Sequence, residues 1–366
     1  MKVVLVNDTF NAYHWGCTAT SRALSGEIQA LGYDIKYLPI IDIYNAKMLP
    51  KSVADFNDRN FFFNAVRSDP GLFERIGEAD VVVINGEGTL HHLTDSAVKL
   101  LFLAYAAKKY LQRPVQIINH SAYPANRFTV HDNEAGSLYS SIYKLMDFIA
   151  IREPISHRLM GQFGIKAQLS FDCLPLTVRE FYPRAVTDKL NYIVISDSVA
   201  FPVSLIGALV NYIIFLLGSG FEVKILTGAR NYEAADSGRF LAALRHYGEI
   251  GYELVEAGSL QSWLDCISRS KLLVSGRFHH SIAAAFLGTP FVLMESNTPK
   301  NQALAEIFNI TQPLSYSSSD FGAQLVERTK TVFGSTLPAA ELLTELLARA
   351  HNNFDGLRKF KRALGQ

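Results

Sequence analysis

The stretch SGRFHHSIAAAFLGTP (275–290) combines residue types that bind anions. It places an arginine and two histidines where a strand pattern ends and a helix of small residues begins. Backbone N–H groups at a helix N-terminus favour an anion, and an arginine can bind two of its oxygens at once. The alternative is a polar helix start in which the histidines only satisfy the turn. We predict an anion site formed by Ser275, Gly276, Arg277, His279, His280 and Ser281.

The stretch VINGEGTLHH (83–92) places a carboxylate in a tight turn after an apolar run. Glu87 lies between Gly86 and Gly88, and glycines let a backbone approach a ligand closely. A partly desolvated carboxylate has its pKa raised toward neutrality and can act as a general acid or base. We predict that role for Glu87, against the alternative that it only accepts hydrogen bonds from nearby amides. His91 is predicted to line the same site. The adjacent histidines do not have a chelating spacing, so we expect no metal site.

Further polar residues follow other predicted strands. Asp172, in SFDCLP, could be a second carboxylate, a nucleophile or base partner, or a turn cap. Arg152 could bind an anion or pair with Glu153 or Asp172. The polar loop at 8–24 could hold a second anionic group or an acceptor sugar, or could only cap a helix. We also predict that Asp8, His14 and Asn119 line the part of the site that holds the acceptor.

The elements that must position these residues follow a regular alternation. Short β-branched runs alternate with helical stretches, which is typical of parallel sheets covered on both faces. We predict an α/β fold of two doubly wound, Rossmann-like domains with a cleft between them, because ligands bind at the carboxyl ends of such strands. The first series of predicted strands is 2–7, 34–40, 81–85, 115–120, 148–153 and 167–171. The second series is 191–196, 221–227, 252–257, 271–276 and 290–295.

The length of 366 residues suits two domains. We predict an acceptor and catalytic domain at 1–175 and a donor-binding domain at 190–310. A helical segment at 311–366 follows, and its end is expected to return to the first domain. The uncharged stretch 201–221 is long enough to raise the question of a membrane span. A proline near its start and the sequence GSG at its end favour a buried helix instead.

Composition and charge narrow the classes of partner and compartment. The net charge is +1, so we expect no nucleic-acid partner. Three cysteines lie far apart, which suits a reducing cytosol. The N-terminus enters a strand pattern directly, so no signal peptide is predicted. We expect a cytoplasmic protein. Its basic C-terminal residues are a hypothetical contact with the inner face of the membrane: Arg358, Lys359, Lys361 and Arg362.

Three segments carry a resemblance to a known family: NGEGTLHH, IREPISHRLMGQFGIKAQLSFD, and SGRFHHSIAAAFLGTPFVLMESNTPKNQALAEIF. They resemble the glycine-rich turn, the Arg-Glu segment that ends in Asp, and the Arg-x-His helix of the polysaccharide pyruvyl transferase family. The resemblance spans about residues 1–310. It implies a glycosyltransferase-B-like fold and a role in assembling capsule, lipopolysaccharide or cell-wall polymers.

The resemblance also implies a reaction. Members of the family move the enolpyruvyl unit of phosphoenolpyruvate onto a sugar or lipid-linked saccharide, with no cofactor besides the donor. Arg277, His279 and His280 would then hold the donor's phosphate and carboxylate, and an acidic residue would move protons. We predict Glu87, Asp172 and His279 as the catalytic residues.

Two departures from the family pattern keep a second reaction open. The N-terminal loop is NDTFNAYHWGC, and the central turn is GEG where the family has a run of glycines. Chains of this shape also resemble retaining glycosyltransferases that use CMP-activated ulosonic acids such as Kdo. In that reading Asp172 and Glu87 would be nucleophile and acid/base, and CMP would lie on Arg277, His279, His280 and Ser281. A non-catalytic sugar- or nucleotide-binding protein is the third possibility.

Overall fold

The computed structural model describes residues 1–12, 14–124, 134–228, 236–333 and 338–365. The chain divides into two compact units. Unit 1 comprises Met1–Asn11, Thr20–Cys173 and Ala348–Gln366, and unit 2 comprises Ala12–Ala19 and Leu174–Leu347. Residues 12–19 therefore belong to unit 2 although unit 1 flanks them in the sequence, and residues 348–366 belong to unit 1 although they follow unit 2.

Each of the eleven predicted strands is present. They are β1 (Lys2–Asp8), β2 (Asp34–Pro39), β3 (Val81–Asn85), β4 (Val115–His120), β5 (Phe148–Ile151), β6 (Gln168–Leu169), β7 (Tyr192–Ile195), β8 (Glu222–Thr227), β9 (Glu253–Glu256), β10 (Leu272–Ser275) and β11 (Phe291–Leu293).

The helices between and after these strands are α1 (Trp15–Ala30), α2 (Ile40–Asn45), α3 (Val53–Asn57), α4 (Arg59–Ser68), α5 (Pro70–Gly77), α6 (Asp95–Lys109), α7 (Glu134–Tyr143), α8 (Pro154–Gln162), α9 (Leu174–Phe181), α10 (Ile206–Gly218), α11 (Asp236–Arg245), α12 (Leu260–Ser268), α13 (Phe278–Leu287), α14 (Lys300–Phe308), α15 (Phe321–Phe333), α16 (Ala340–His351) and α17 (Asp355–Ala363). Single 3₁₀ turns precede α10 and α17.

Unit 1 is built on a six-stranded sheet in the order β2-β1-β3-β4-β5-β6. All of its strand pairs are parallel. The chain moves outward to β2 and then returns to the far side of β1, so the order reverses between β1 and β3. Ligands of open α/β sheets bind outside the carboxyl ends of the strands at such a reversal point.

Helices bury the central strands of this sheet. Every residue of β3 and β4 is buried, as expected for a parallel sheet covered on both faces. The core includes Phe56 and Phe102, whose rings meet edge to face. Full burial of one such side chain contributes about 1.5–3 kcal/mol to the stability of the unit.

The C-terminal segment completes unit 1. Gly356, at the start of α17, lies so close to the sheet that a Cβ there would be 2.5 Å from Phe148 Cγ. The Tyr33 hydroxyl donates to the Leu357 carbonyl over 2.8 Å, and Leu357 is fully buried. The segment is therefore part of the packing of this unit.

Unit 2 is built on a five-stranded parallel sheet in the order β11-β10-β7-β8-β9. Its first strand, β7, pairs with both β8 and β10, so the order reverses between β7 and β10. The small residues of α13 pack on this sheet, and the helix ends at Gly288, whose φ of 72° is left-handed.

The uncharged stretch 201–221 forms a helix of unit 2. It contains α10, which buries Leu209, Ile213 and Leu216 against the sheet and exposes Ile214. Throughout the described ranges, helices with the length and apolarity needed to cross a bilayer do not occur.

The structure adds helices to the strand pattern and shortens one strand. The segment between the two series of predicted strands begins with α9. Pro175 is the second residue of that helix, where a missing N–H costs nothing. Residues 53–77 hold three helices. β6 has two residues where five were predicted, because it lies at the edge of the sheet and pairs on one side only.

Candidate functional site

In unit 1 the reversal point of the sheet carries two carboxylates. Asp8 is the last residue of β1, and Glu87 lies two residues beyond β3. The exposed fractions of these residues are 6% and 2%. The topology thus brings Asp8 and Glu87 to the place where an α/β sheet binds its ligand.

Asn7 directs Asp8 toward this place. Its φ of 62° is left-handed, a conformation that asparagine tolerates better than most residues. The register of β1 against β2 shifts between Val6 and Asp8 at this point. The side-chain amide of Asn7 donates from Nδ2 to the Asn85 backbone carbonyl over 2.7 Å and to the Thr89 hydroxyl over 3.1 Å. These bonds hold the strained residue in place.

Two hydroxyls connect the carboxylates, and we call Asp8, Thr9, Ser21 and Glu87 the Asp8–Glu87 cluster. Ser21 Oγ donates to Asp8 Oδ1 over 2.6 Å. The hydroxyl oxygens of Ser21 and Thr9 are 3.2 Å apart, and Thr9 Oγ1 donates to Glu87 Oε2 over 3.3 Å. An unbroken series of oxygen–oxygen contacts of 3.3 Å or less therefore joins the carboxylates.

The net effect of its environment is to raise the pKa of the Asp8 carboxyl. Burial raises the pKa of the Asp8 carboxyl, and the nearby Glu87 charge raises it further. The hydrogen bonds from Ser21 and from the Phe10 amide oppose this shift by stabilising the carboxylate. Two neighbouring carboxyl groups in unequal environments are a typical arrangement for acid and base catalysis.

The glycines beside Glu87 have specific structural tasks. A Cβ on Gly86 would lie 2.2 Å from Cβ of His120, so only glycine fits between that side chain and the turn. Gly88 has a left-handed φ of 70°. Gly86 is therefore required by the packing of the buried His120, and the approach of a ligand to the two glycines stays a prediction. That imidazole bonds to the Tyr143 hydroxyl over 2.9 Å, and burial lowers its pKa to about 3.

Asp172 and Arg152 form a buried ion pair. Arg152 Nη1 donates to Asp172 Oδ2 over 2.6 Å, and the exposed fractions of the two side chains are 4% and 0%. Arg152 Nε donates to Ser121 Oγ, and the Thr20 hydroxyl lies 3.5 Å from Asp172 Oδ1. Of the roles considered for these residues, the structure favours mutual pairing over nucleophile and anion ligand.

Asn119 and His91 are also engaged within unit 1. Asn119 Oδ1 accepts from the backbone N–H of Cys173 over 2.9 Å, and the backbone N–H of Asn119 donates to Asn353 Oδ1 over 2.8 Å. The residue therefore links β4 to the segment after β6. His91 forms a β-bridge with Tyr123 and is half-buried. Asn119 thus has a clear structural task.

In unit 2 the reversal point of the sheet carries an arginine and a carboxylate. Asp197 follows β7, and Arg277 precedes α13. Arg277 Nε donates to Asp197 Oδ1 over 2.8 Å, and Nη2 donates to Asp197 Oδ2 over 2.6 Å. The bidentate contact predicted for an anionic ligand is therefore made to a carboxylate of the protein.

His14 contacts the same guanidinium. Its Nε2 lies 2.8 Å from Arg277 Nη1. Burial lowers the pKa of His14 well below its usual value, and the charge of Arg277 lowers it further. A neutral ring can accept from Arg277 through Nε2. We call His14, Asp197, Arg277 and His279 the Arg277 cluster.

The remaining predicted residues lie around the start of α13. Ser275 Oγ accepts from the Arg277 amide, and Ser281 Oγ donates to the Arg277 carbonyl. Gly276 packs on Ser198, since a Cβ there would be 2.2 Å from Cβ of Ser198. His279 is half-buried and packs on Gly16, which leaves no room for a Cβ. Ser275, Gly276 and Ser281 thus shape the turn that presents Arg277.

His280 occupies a different place from the one predicted. Its ring is 97% buried, and its Nε2 accepts from Trp263 Nε1 over 3.1 Å. Burial lowers its pKa to about 3. The burial and the contact with Trp263 favour a core role for His280 over the predicted role as a donor ligand.

The sequence pattern gave Asp197 no role, and it placed Thr9 and Ser21 only within the polar loop at 8–24. All three were visible as polar residues at a strand end or helix start. The missing information was the strand order, which places β7 beside β10 and β1 beside β3. That order could have suggested the pairing of Asp197 with Arg277.

Comparison with solved structures shows the fold. The chain is similar to the UDP-GlcNAc 2-epimerase of Neisseria meningitidis, with 13% identity, a TM-score of 0.64, and coverage of 98% of this chain and 100% of that one. The corresponding epimerase of Rickettsia bellii has 14% identity and a TM-score of 0.59, with coverage of 100% of this chain and 96% of that one. A glycosyltransferase of Glycyrrhiza uralensis, UGT73P12, has 8% identity and a TM-score of 0.51, with coverage of 100% of this chain and 96% of that one. The fold is the glycosyltransferase-B-like α/β fold that was predicted.

Sequence comparison shows the family. No curated protein gives a significant match. The family model described as polysaccharide pyruvyl transferase matches residues 16–298, which is more than half of the chain. This match confirms the resemblance drawn from the three segments. The chain is therefore a transferase that belongs to the polysaccharide pyruvyl transferase family.

Proposed function

We propose that the protein transfers the enolpyruvyl unit of phosphoenolpyruvate to a sugar and forms a pyruvate ketal. A proton adds to the vinyl carbon C3, and two sugar oxygens bond to C2 while the C2–O bond to phosphate breaks. Of the two sugar hydroxyl protons, one balances the proton gained at C3 and the other leaves with phosphate. The reaction therefore needs a general acid, a general base and an anion site.

The observation that carries this proposal is the Asp8–Glu87 cluster. Burial and the Glu87 charge raise the pKa of Asp8, which suits the acid that protonates C3. Glu87 then acts as the base that removes a sugar hydroxyl proton. Two carboxylates at the reversal point of one sheet match the demands of this chemistry. The previously predicted pair of Glu87 with Asp172 is replaced, because Asp172 is paired with Arg152.

The Arg277 cluster is the proposed site for the donor's phosphate and carboxylate. Asp197 and His14 fix the orientation of the guanidinium, and α13 directs the N–H groups of its first turn to the same place. Because Asp197 offsets the charge of Arg277, His279 and the helix N-terminus must supply part of the attraction. We retain His279 as a donor contact and omit His280.

Transfer of a CMP-activated ulosonic acid is the alternative, and it required Asp172 as a nucleophile. The 2.6 Å contact with Arg152 and the zero exposure of Asp172 argue against that role. A thermal-shift comparison of phosphoenolpyruvate with CMP separates the two donors, since a ligand stabilises only the fold that binds it. Stabilisation by CMP alone would overturn the proposal.

Product analysis tests the reaction directly. The protein is incubated with phosphoenolpyruvate and a panel of sugars that present two neighbouring hydroxyls. We expect phosphate release and a product whose mass exceeds that of the sugar by one pyruvate less one water. In deuterated water the new methyl group should gain one deuterium, because C3 is protonated during the reaction.

Two variants test the proposed residues. Asp8→Asn and Glu87→Gln should each lower turnover about 10²–10⁴-fold, the usual contribution of a general acid or base. The thermal shift with phosphoenolpyruvate should persist in both. Asp147→Asn, a half-exposed carboxylate of unit 1, is the matched control. Unchanged turnover in both test variants would contradict the assignment.

Contact with an anionic membrane surface is a separate proposal. Of the basic C-terminal residues, Lys359 and Arg362 are exposed. Lys361 Nζ instead donates to the Leu31 carbonyl, and Arg358 pairs with Asp355. We expect Lys359→Glu combined with Arg362→Glu to reduce partitioning to anionic vesicles but not to neutral ones. Equal partitioning of variant and parent would exclude the contact.

A further inference from the structure

We propose that the hydroxyls of Thr9 and Ser21 form a proton relay that returns the proton taken up by Glu87 to Asp8. This inference rests on the proposed function and goes beyond it, because it assigns two residues that act between the acid and the base. It also gives the reason for the buried hydroxyls beside the two carboxylates.

The geometry supplies every link of the relay. From Glu87 Oε2 to Thr9 Oγ1 the distance is 3.3 Å, from Thr9 Oγ1 to Ser21 Oγ it is 3.2 Å, and from Ser21 Oγ to Asp8 Oδ1 it is 2.6 Å. The Ser21–Asp8 link has the usual length of an O–H···O hydrogen bond, and the two links at Thr9 are longer than that range. Hydroxyls both donate and accept, so each can pass a proton on.

Ser21 has an unusual orientation for a serine inside a helix. Such a serine commonly donates to the carbonyl four residues earlier on its own helix. In α1 the Ser21 hydroxyl donates across to Asp8 and also accepts from the Thr9 amide over 2.9 Å. Ser21 is fully buried, and Thr9 is 2% exposed. Bulk water therefore has little access to the links between the carboxylates.

The relay conserves protons. After C3 has been protonated, Asp8 is a carboxylate and Glu87 holds a sugar hydroxyl proton. Glu87 gives that proton to Thr9 Oγ1, the Thr9 proton moves to Ser21 Oγ, and the Ser21 proton moves to Asp8 Oδ1. The O–H bonds broken and formed are equal in number, and no oxidant or co-reactant takes part. Asp8 is then ready for the next turnover.

The first test measures turnover. Thr9→Val keeps the shape of the side chain and removes the hydroxyl, while Thr9→Ser keeps the hydroxyl. Thr20→Val, at a neighbouring buried threonine of α1, is the matched control. We expect Thr9→Val and Ser21→Ala to lower kcat about 10²-fold with little change in KM. Thr9→Ser should retain most activity, and the Thr20 control should resemble the parent.

Buffer dependence separates a relay from a merely structural role. In the parent, Asp8 is reloaded internally, so turnover should not depend on buffer concentration. In Thr9→Val and Ser21→Ala, Asp8 must be reloaded from solution, so turnover should rise with buffer concentration at constant pH and ionic strength. A loss of activity without buffer dependence, or no loss in either variant, would overturn the relay.

A second measurement does not require the reaction. Infrared titration follows the protonated carboxyl band of the free protein, and Asp8→Asn identifies the contribution of Asp8. We expect Ser21→Ala to raise the apparent pKa of Asp8, because the hydrogen bond that stabilises its carboxylate is lost. Thr9→Val should change the Asp8 titration as well, because Thr9 Oγ1 contacts Ser21 Oγ. An Asp8 titration that is unchanged in both variants would overturn the relay even if the protein transferred no pyruvyl group.

Discussion

Replacing Asp172 by alanine should destabilise unit 1 strongly, because it leaves the Arg152 guanidinium buried without its carboxylate. The pair has an N–O distance of 2.6 Å and exposed side-chain fractions of 4% and 0%. Removing one partner of a buried ion pair typically costs about 3–5 kcal/mol. The reason is that the remaining Arg152 charge is buried, so water cannot solvate it in place of the carboxylate.

Unit 1 offers a matched control for this prediction. Lys108 and Asp147 also have an N–O distance of 2.6 Å, but their side chains are 30% and 40% exposed. Exposed pairs usually contribute about 0.2–1 kcal/mol. Asp147→Ala should therefore cost much less than Asp172→Ala, and burial alone accounts for the difference. A double replacement, Arg152→Met with Asp172→Leu, should recover most of the stability lost in the single variant.

The assay must separate the two units. Both tryptophans of the chain, Trp15 and Trp263, belong to unit 2, so tryptophan fluorescence follows that unit. Hydrogen exchange of peptides that cover β4 and β5 follows unit 1. We expect Asp172→Ala to accelerate exchange in these peptides roughly 10²–10⁴-fold, which corresponds to 3–5 kcal/mol. The fluorescence transition should change little.

One outcome would refute the reasoning. If Asp172→Ala and Asp147→Ala affect exchange equally while only Asp172→Ala abolishes turnover, Asp172 acts in the chemistry. The nucleophile assignment and the CMP-ulosonate reaction would then return. If exchange accelerates and the double replacement restores both folding and turnover, Asp172 is a structural residue.

Gly86→Ala should lower stability by about 1–3 kcal/mol, because its Cβ would lie 2.2 Å from Cβ of His120. Gly88→Ala should be milder in thermal unfolding, since a Cβ at Gly88 meets no atom of the described residues within 4 Å and only the left-handed φ opposes it; equal losses would refute the packing argument. Below a pH of 6.5, unfolded His280 binds a proton that the folded protein, with a His280 pKa of about 3, does not bind, so stability should fall as the pH drops from 6.5 toward 3. His280→Gln should reduce this acid sensitivity, measured as the urea midpoint of tryptophan fluorescence, and an identical pH dependence in the variant would contradict it.

The periodicity of the sequence was sufficient to predict the strands and the fold class. β-branched runs alternate with amphipathic stretches, and that alternation is a local property of the chain. It also located Glu87 and Arg277 at strand ends, because polar residues follow the apolar runs directly. The helix α9 was missed, since Pro175 resembles a helix breaker until it is seen to occupy the first turn.

Only the tertiary structure decided which polar residues are partners. Arg277 pairs with Asp197 across 80 residues, and Asp8 lies beside Glu87 because β1 pairs with β3. These contacts depend on strand order, which hydrophobic periodicity does not encode. The burial of His280 against Trp263 is likewise a result of packing, and it favours a core role for a residue that was predicted as a ligand. Sequence thus determined where polar groups emerge from each sheet, and the order of the strands determined what each group can do.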